Sequence, residues 1–354
     1  MATLQTELLL CIADHYEPQC GKVSPSIATA RLNAWLELYP HFKQFHDAHG
    51  NPPRHSFFFP IDEYDPAHVD AVASLCRQGL GEVEIHHHHD HDTPQKLHDR
   101  LLQFTSLFRN RHGLLASAKS PPSSSTSLPN RAPSTDPSSE NSAPKTQNSD
   151  SPRYAFVHGN WALNNSRPDG RWCGINNEIK VLLQTGCYAD FTMPSYPSNT
   201  QTTKVNSIYY AQGHDHKPKG HDTGIDVGSP ESLRKALGVQ APPCSLTPSE
   251  KHPHLPTPPG MLMMIQGPLL RNWRNRKWGL YPRMENACLQ GNQPPTMERL
   301  KLWLKAAIRV PRRPDWRFVK LHTHGAVEKN AAVLLGEPMK KFHHGLASLA
   351  KENP

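Results

Sequence analysis

The sequence predicts an α/β fold, a (β/α) barrel of seven or eight strands with a metal site at its mouth. Three observations carry that expectation. Short apolar runs alternate with helical patterns, as repeated βα units and a parallel sheet require. Nearly every strand candidate ends in a cluster of polar, ionisable residues, as strands do at the carboxyl rim of a barrel. No Gly-x-Gly-x-x-Gly and no P-loop follows a strand, so an open doubly wound sheet has no motif behind it.

Residues 8–13 form a continuous apolar run of the kind that fills a buried parallel strand. The run ends in Asp14 and His15, two ionisable groups that are costly in that place unless paired or metal-bound. A helix follows over 26–45, with Leu32, Trp35, Leu36 and Leu38 on its apolar face. HSFFFP, residues 55–60, is the second strand, ended by Pro60 and the acidic loop IDEYD. Asp65 and Pro66 then open a helix that runs to Gln78 and stops at Gly79.

The third strand lies in GEVEIHHHHDHDTP, residues 81–94. Val83 and Ile85 share one parity and Glu84, His86 and His88 the other, which describes a strand with one apolar and one polar face. Thr93 is an N-cap and Pro94 a first helical residue, so the histidines stand where a strand hands over to a helix. His and Asp are the ligands of zinc and similar divalent ions, and residues two apart on a strand point the same way.

Residues 117–152 are Ser, Pro, Thr and Asn with almost no apolar side chain. Such a composition buries too little surface to order itself, so a disordered insertion is expected between 1–116 and 153–354 of a single barrel domain. A strand starting at Tyr154 leads to a polar rim of His158, Asn160 and Trp161, then a helix over 176–184. A strand over 187–191 carries Asp190 near its end, and residues 208–211 form a further strand or one arm of a hairpin. Residues 213–259, rich in His, Pro, Lys and Gly, are expected as a long rim loop with one short helix at 229–237. The last elements are a strand over 260–265, a capped helix over 296–308, and a strand over 317–321 that ends in His322, Thr323 and His324.

The chain has 354 residues, 36% of them hydrophobic, and 35 prolines, which describes a folded core diluted by irregular loops. A formal charge of +8 favours encounters with anions and says nothing about fold. Seven cysteines with no CxxC pair fit core residues of a reducing compartment. The N-terminal segment has no basic stretch, and its apolar run is too short for a membrane span, so a cytoplasmic location without membrane contact is expected.

In this order the motifs resemble the polysaccharide deacetylase superfamily, in a divergent bacterial branch. The resemblance implies a distorted seven-stranded barrel, a carbohydrate substrate and a metal-dependent deacetylation. The acidic pair that follows the family's first strand corresponds to Asp14 and His15, which puts Asp14 in the place of the general base. The family's two metal-binding histidines, four residues apart, fall on His88 and Asp92 within EIHHHHDHD. Its final histidine, the general acid, corresponds to His322 and His324 in KLHTHG. The family's arginine motif has no counterpart, and HGNWALNNS occupies its neighbourhood.

Residue chemistry leads to the same reaction class. Hydrolysis of an amide or ester needs an activated water, an electrophile stabiliser and a proton donor, and a divalent metal supplies the first two. One zinc ion is therefore expected on His15, His86, His88 and Asp92, with Asp14 as base and His324 or His322 as acid. Trp161 suits a sugar face and Asn160 a substrate contact, while His158 and Asp190 fit substrate contacts, further metal ligands or partners that orient the imidazoles. Two other readings compete. A glycosidase would pair carboxylates from Asp14, Glu84 and Asp190. A non-catalytic protein would store metal on the His run and bind nucleic acid through RNWRNRKWG, residues 271–279.

Overall fold

Each of the first three strands is followed by a helix that returns the chain to the same end of the sheet. β1 (Glu7–His15), β2 (His55–Pro60) and β3 (Gly81–His87) alternate with α1 (Pro25–Leu38), α2 (Pro66–Arg77) and α3 (Pro94–Asn110). The computed structural model describes residues 6–115, 152–227, 258–310, 313 and 315–352. Of the sequence expectations, residues 117–151 of the insertion and the helix at 229–237 lie outside these.

The helix starts follow from their caps. The Asp65 carboxylate accepts from Ala67 N at 2.8 Å, and the Thr93 hydroxyl accepts from Lys96 N at 3.3 Å, each with Pro at the next position. The helix expected over 26–45 divides instead into α1 and a 3-10 segment, Tyr39–Gln44. Pro40 has no N–H to continue the α-helical ladder, which accounts for the change.

The remaining elements are β4 (Tyr154–His158), α4 (Glu178–Gln184), β5 (Cys187–Asp190), β6 (Ile208–Ala211), β7 (Ile225–Asp226) and β8 (Leu262–Ile265). A hairpin of β9 (Leu270–Lys277) and β10 (Tyr281–Glu285) follows, then β11 (Cys288–Leu289) and α5 (Met297–Trp303). β12 (Ile308–Arg309), β13 (Trp316–Thr323), α6 (Glu328–Leu334) and α7 (Glu337–Glu352) complete the fold. The RNWRNRKWG stretch, expected as a basic loop or nucleic-acid patch, is largely the β9 arm, with Trp273 and Trp278 exposed. No helix among the described residues is long and apolar enough to cross a membrane.

Among the described residues eleven strands form one sheet in the order β11-β13-β1-β2-β3-β4-β5-β8-β6-β7, with β12 on β13, while β9 and β10 pair apart from it. Every pairing from β11 to β8 is parallel. Helices cover one face, where Trp35, Phe57, Phe59, Ile85, Leu101 and Phe108 belong to the main core. The opposite face carries a smaller cluster of Ala13, Phe58, Ala155, Val157, Ala189 and Phe191.

That second face is concave, and one side chain shows it. Lys320 on β13 donates its Nζ to Phe191 O and to Met193 O, both just beyond β5. Five strand spacings separate β13 from β5 in the sheet order, about 24 Å if it were flat. A lysine cannot span that distance, so the sheet must curl. Gly267, after β8, also donates to Met193 O at 3.1 Å, and a Cβ there would lie 2.8 Å from Lys320 O. Among the described residues the expected closed ring is not formed by strand hydrogen bonds. β8 pairs antiparallel with β6 instead of meeting β11, and β7 ends the path.

Burial drives the Asp190 carboxyl up and the Lys320 ammonium down, and their mutual attraction opposes both shifts. Lys320→Met keeps the apolar stem but strips two buried carbonyls and a carboxyl of their cation. Urea denaturation should show a loss of about 3–5 kcal/mol. A loss below about 1 kcal/mol would mean that the lysine does not hold the curl.

Candidate metal centre

Strand alternation divides the histidine run. Val83 and Ile85 enter the helix-side core, which leaves His86, and His88 beyond the strand end, on the concave side. His86 Nδ1 lies 3.1 Å from Val157 O, and its Nε2 lies 3.0 Å from Glu17 Oε1. His88 places Nδ1 3.0 Å from Asp62 Oδ2 and Nε2 3.7 Å from the same Glu17 oxygen. Asp62 Oδ1 also accepts from His88 N at 2.9 Å and lies 3.2 Å from His87 Nδ1. Gly159 makes room for this ring: a Cβ there would lie 2.2 Å from His88 Cδ2.

The tautomers follow from the partners. A carbonyl oxygen only accepts, so His86 Nδ1 carries a proton; the carboxylate of Asp62 demands the same of His88 Nδ1. When neutral, both rings aim Nε2 lone pairs at Glu17, itself an acceptor; His88, drawn up against its burial by the hydrogen bond and charge of Asp62, is the easier of the two to protonate. Two acceptors 3.0 Å apart need a proton or a cation between them. Burial pushes the His86 imidazole down, against the hydrogen bond and charge of Glu17, which disfavours the proton.

β1 and β13 supply the other side. The His15 ring centroid lies 4.9 Å from that of His86 and 4.8 Å from that of His324. His15 is buried with Nδ1 unpartnered, and His324 Nε2 lies 3.9 Å from Glu17 Oε1. Two donor groups able to hold a metal ion, His15–Glu17–His324 and Glu17–His86–His88, share the Glu17 carboxylate. Burial opposes ionisation of Glu17, but positive charge on the facing rings, His86 first and then His324 and His88, overrides it and holds the carboxyl at about 2, so the anion calls for a cation in this place whether a ring or a metal carries it. Glu63 shifts the other way, raised to about 7 by burial and then by the charge of Glu17.

His15, His86, His88 and His324 thus come together as expected from their positions at strand ends, while other candidates do not join them. Asp14 points to the opposite face of β1 from His15, as adjacent strand residues must. Its carboxylate lies 2.8 Å from His55 Nε2 and accepts from Gly325 N at 2.5 Å, so it braces β1 against β2 and the turn after β13. His322 is buried with Nδ1 unpartnered and belongs to none of the donor groups. Asp92 accepts from Thr93 N at 2.8 Å and lies 3.6 Å from His89 Nδ1, away from the ligand place expected for it.

His158 is buried beside His89, with ring centroids 4.7 Å apart. Asp190 accepts from Thr192 Oγ1 at 2.7 Å, and that hydroxyl accepts from His158 N at 2.9 Å. Asn160 and Trp161 are half-buried in the turn after β4. Glu84 accepts from Ala155 N and Tyr188 Oη, so the three carboxyls considered for a glycosidase are each engaged in separate hydrogen bonds. The carboxylates of the centre, Glu17 and Asp62, were not singled out from the sequence. Their signal was modest: an acidic residue two positions beyond His15, and another two beyond Pro60.

No protein-family model matches the chain, and no curated protein matches it.

Buried imidazoles set the pH response. His15, His86, His87, His158, His221, His322 and His343 all lie below the ordinary 6.5, burial being the first cause in each. Below that pH the unfolded chain takes up protons that the folded one refuses, so stability falls with pH. Glu63, Glu84 and Asp190, raised by burial, and His88, raised by Asp62 against its burial, act in the opposite sense but are fewer. The urea midpoint of chelator-treated protein should fall from about pH 7 to about pH 5. An unchanged or higher midpoint at the lower pH would show that these rings are charged in the fold.

Proposed function

We propose that this chain is a metal-dependent hydrolase that removes an N- or O-acyl group from a carbohydrate-type substrate. The observation that carries the reading is the meeting of the His86 and His88 Nε2 lone pairs with Glu17, at 3.0 and 3.7 Å, in a buried place that disfavours a proton on His86. An imidazole-rich set with one carboxylate suits zinc. His15, Glu17, His86 and His88 would hold the ion, with Glu17 in the place expected of Asp92. The Val157 carbonyl and the Asp62 carboxylate fix the two ring tautomers, as partners of metal-bound histidines do.

A bound ion of this kind supplies a water of lowered pKa and a charge that stabilises the developing oxyanion. The protein's own groups handle the protons. Glu63, raised to about 7, takes the role expected of Asp14, because a carboxyl poised near neutral pH both accepts and releases a proton there. His324 is the acid for the leaving amine or alcohol. Its side chain is 29% exposed and half-open to an incoming substrate, whereas His15 is 1% exposed. We read the curled sheet as a distorted (β/α) barrel with a hydrogen-bonding gap, its strand ends gathered at one mouth. The carbohydrate class rests on the motif resemblance, together with half-buried Trp161 at the end of β4.

Elemental analysis of untagged protein tests the ligands. His86→Ala and His88→Ala should each release the ion of this centre, and full metal content in both variants would sink the assignment. His324→Gln should keep the metal and lower acetate release from acetylated sugars by about 10²–10⁴-fold. Chelator should abolish that release; glycosidic cleavage without acetate would move the activity to the glycosidase class.

A further inference from the structure

A second group of donors lies on the helix side of β3 and takes no part in the centre described above. We propose that His89, His158, Cys173 and Glu178 form a closed structural site for a zinc ion. The four come from separate places: the end of the His run, the end of β4, the loop that follows it, and the first residue of α4. All four are buried, and their donor atoms lie within 4.8 Å of one another.

The Glu178 carboxylate is the hub of the group, and its contacts lie near the spacings of a metal tetrahedron. Glu178 Oε1 is 3.0 Å from His89 Nε2 and 3.8 Å from His158 Nε2, and Cys173 Sγ is 3.3 Å from Glu178 Oε2. Zinc bonds of about 2.0–2.3 Å in tetrahedral array give ligand separations of roughly 3.3–3.7 Å. The polar atoms left over point the same way. His158 Nε2, His89 Nδ1 and Asp92 Oδ2 are buried without hydrogen-bond partners. A metal on the inner nitrogens satisfies His158 Nε2 directly. It also fixes the proton of His89 on Nδ1, which faces Asp92 Oδ2 at 3.6 Å, the carboxylate partner that metal-bound histidines commonly have.

The Cys173 thiol donates to Glu178 Oε2 at 3.3 Å and to Ile175 O at 3.6 Å, and burial and then the Glu178 charge hold its proton on, so the metal must displace that proton; one further contact opposes the site. Asn160 N lies 3.3 Å from His158 Nδ1, and a metal on Nε2 would place a proton on that nitrogen. The contact is longer than an ordinary N–H···N bond and its loss is a small cost. The opposing cost is larger, since Glu178 is 0% exposed and a buried carboxylate without a cation is expensive. A thiolate among the ligands selects zinc over magnesium or calcium, and four protein ligands leave no open position for a substrate. The ion would fasten β3, β4, the connecting loop and α4 together.

Cobalt(II) substitution of the full-length, untagged chain tests this independently of any hydrolysis. A thiolate ligand gives a thiolate-to-cobalt charge-transfer band, which the His86/His88/Glu17 centre lacks. The double variant His86→Ala/His88→Ala should keep one metal equivalent and the band. Cys173→Ser should lose the band, and Cys20→Ser, which removes the thiol beside Glu17, should keep it. A metal-free double variant, no band in the wild type, or a band that survives Cys173→Ser would overturn the site, as would its loss in Cys20→Ser. If Cys173→Ser does not fold, X-ray absorption on the zinc-loaded double variant decides: one sulfur at about 2.3 Å is expected, and a shell of nitrogen and oxygen alone refutes the site.

Discussion

Side chains of adjacent residues on a strand leave on opposite faces, and that rule governs how this molecule uses its histidines. Four consecutive imidazoles at the end of β3 cannot build one site. His86 and His88 face Glu17, while His87 lies between Asp62 and Arg100 and stacks on His89 with ring centroids 5.1 Å apart. His89 then reaches Glu178 on α4. A register slip of one residue would exchange the two sets and leave each carboxylate facing the wrong ring. Val83 and Ile85, packed in the helix-side core, hold the register that prevents it.

Burial gives the imidazoles their chemistry. A ring taken out of water resists a proton, and an uncharged ring keeps a lone pair for a metal. Which nitrogen offers that lone pair is decided by what holds the other. Val157 O holds His86, and Asp62 holds His88 while spanning the strand end to His87. Asp62 accepts several hydrogen bonds here, which overcome burial and keep its carboxyl well below the usual range. Around His89 a carboxylate again faces the outer nitrogen, with Asp92 Oδ2 3.6 Å from Nδ1.

The curl of the sheet brings the sides of the centre together. β13 follows β3 by more than two hundred residues, yet only β1 and β2 separate them in the sheet. That adjacency sets His324 beside His15, and the curvature turns both toward His86. Lys320 holds the curvature from within, exchanging the hydration of its ammonium for two backbone carbonyls across the concave face.

Local rules were enough for the sequence to determine most elements and the faces of β3. Asp65 and Thr93 cap helices because a short polar side chain reaches the first free amides, and Pro66 and Pro94 suit the first turn. Alternation in GEVEIHHHH separates His86 and His88 from Val83 and Ile85 for an equally local reason. The partners of those histidines were decided by tertiary structure. Glu17 lies two residues beyond β1 and Asp62 in a 3-10 segment, Ile61–Glu63, after β2, and nothing in their own neighbourhoods says which ring they will meet. Asp14 looked like the general base of the centre because it adjoins His15 in sequence, but strand parity turned it to His55 and Gly325. Closure of the sheet was likewise beyond local reading, since it depends on which strand takes the free edge of β8, and β6 takes it. Short-range geometry fixes what each segment becomes, whereas the meeting of charges far apart in the chain depends on how the whole sheet bends.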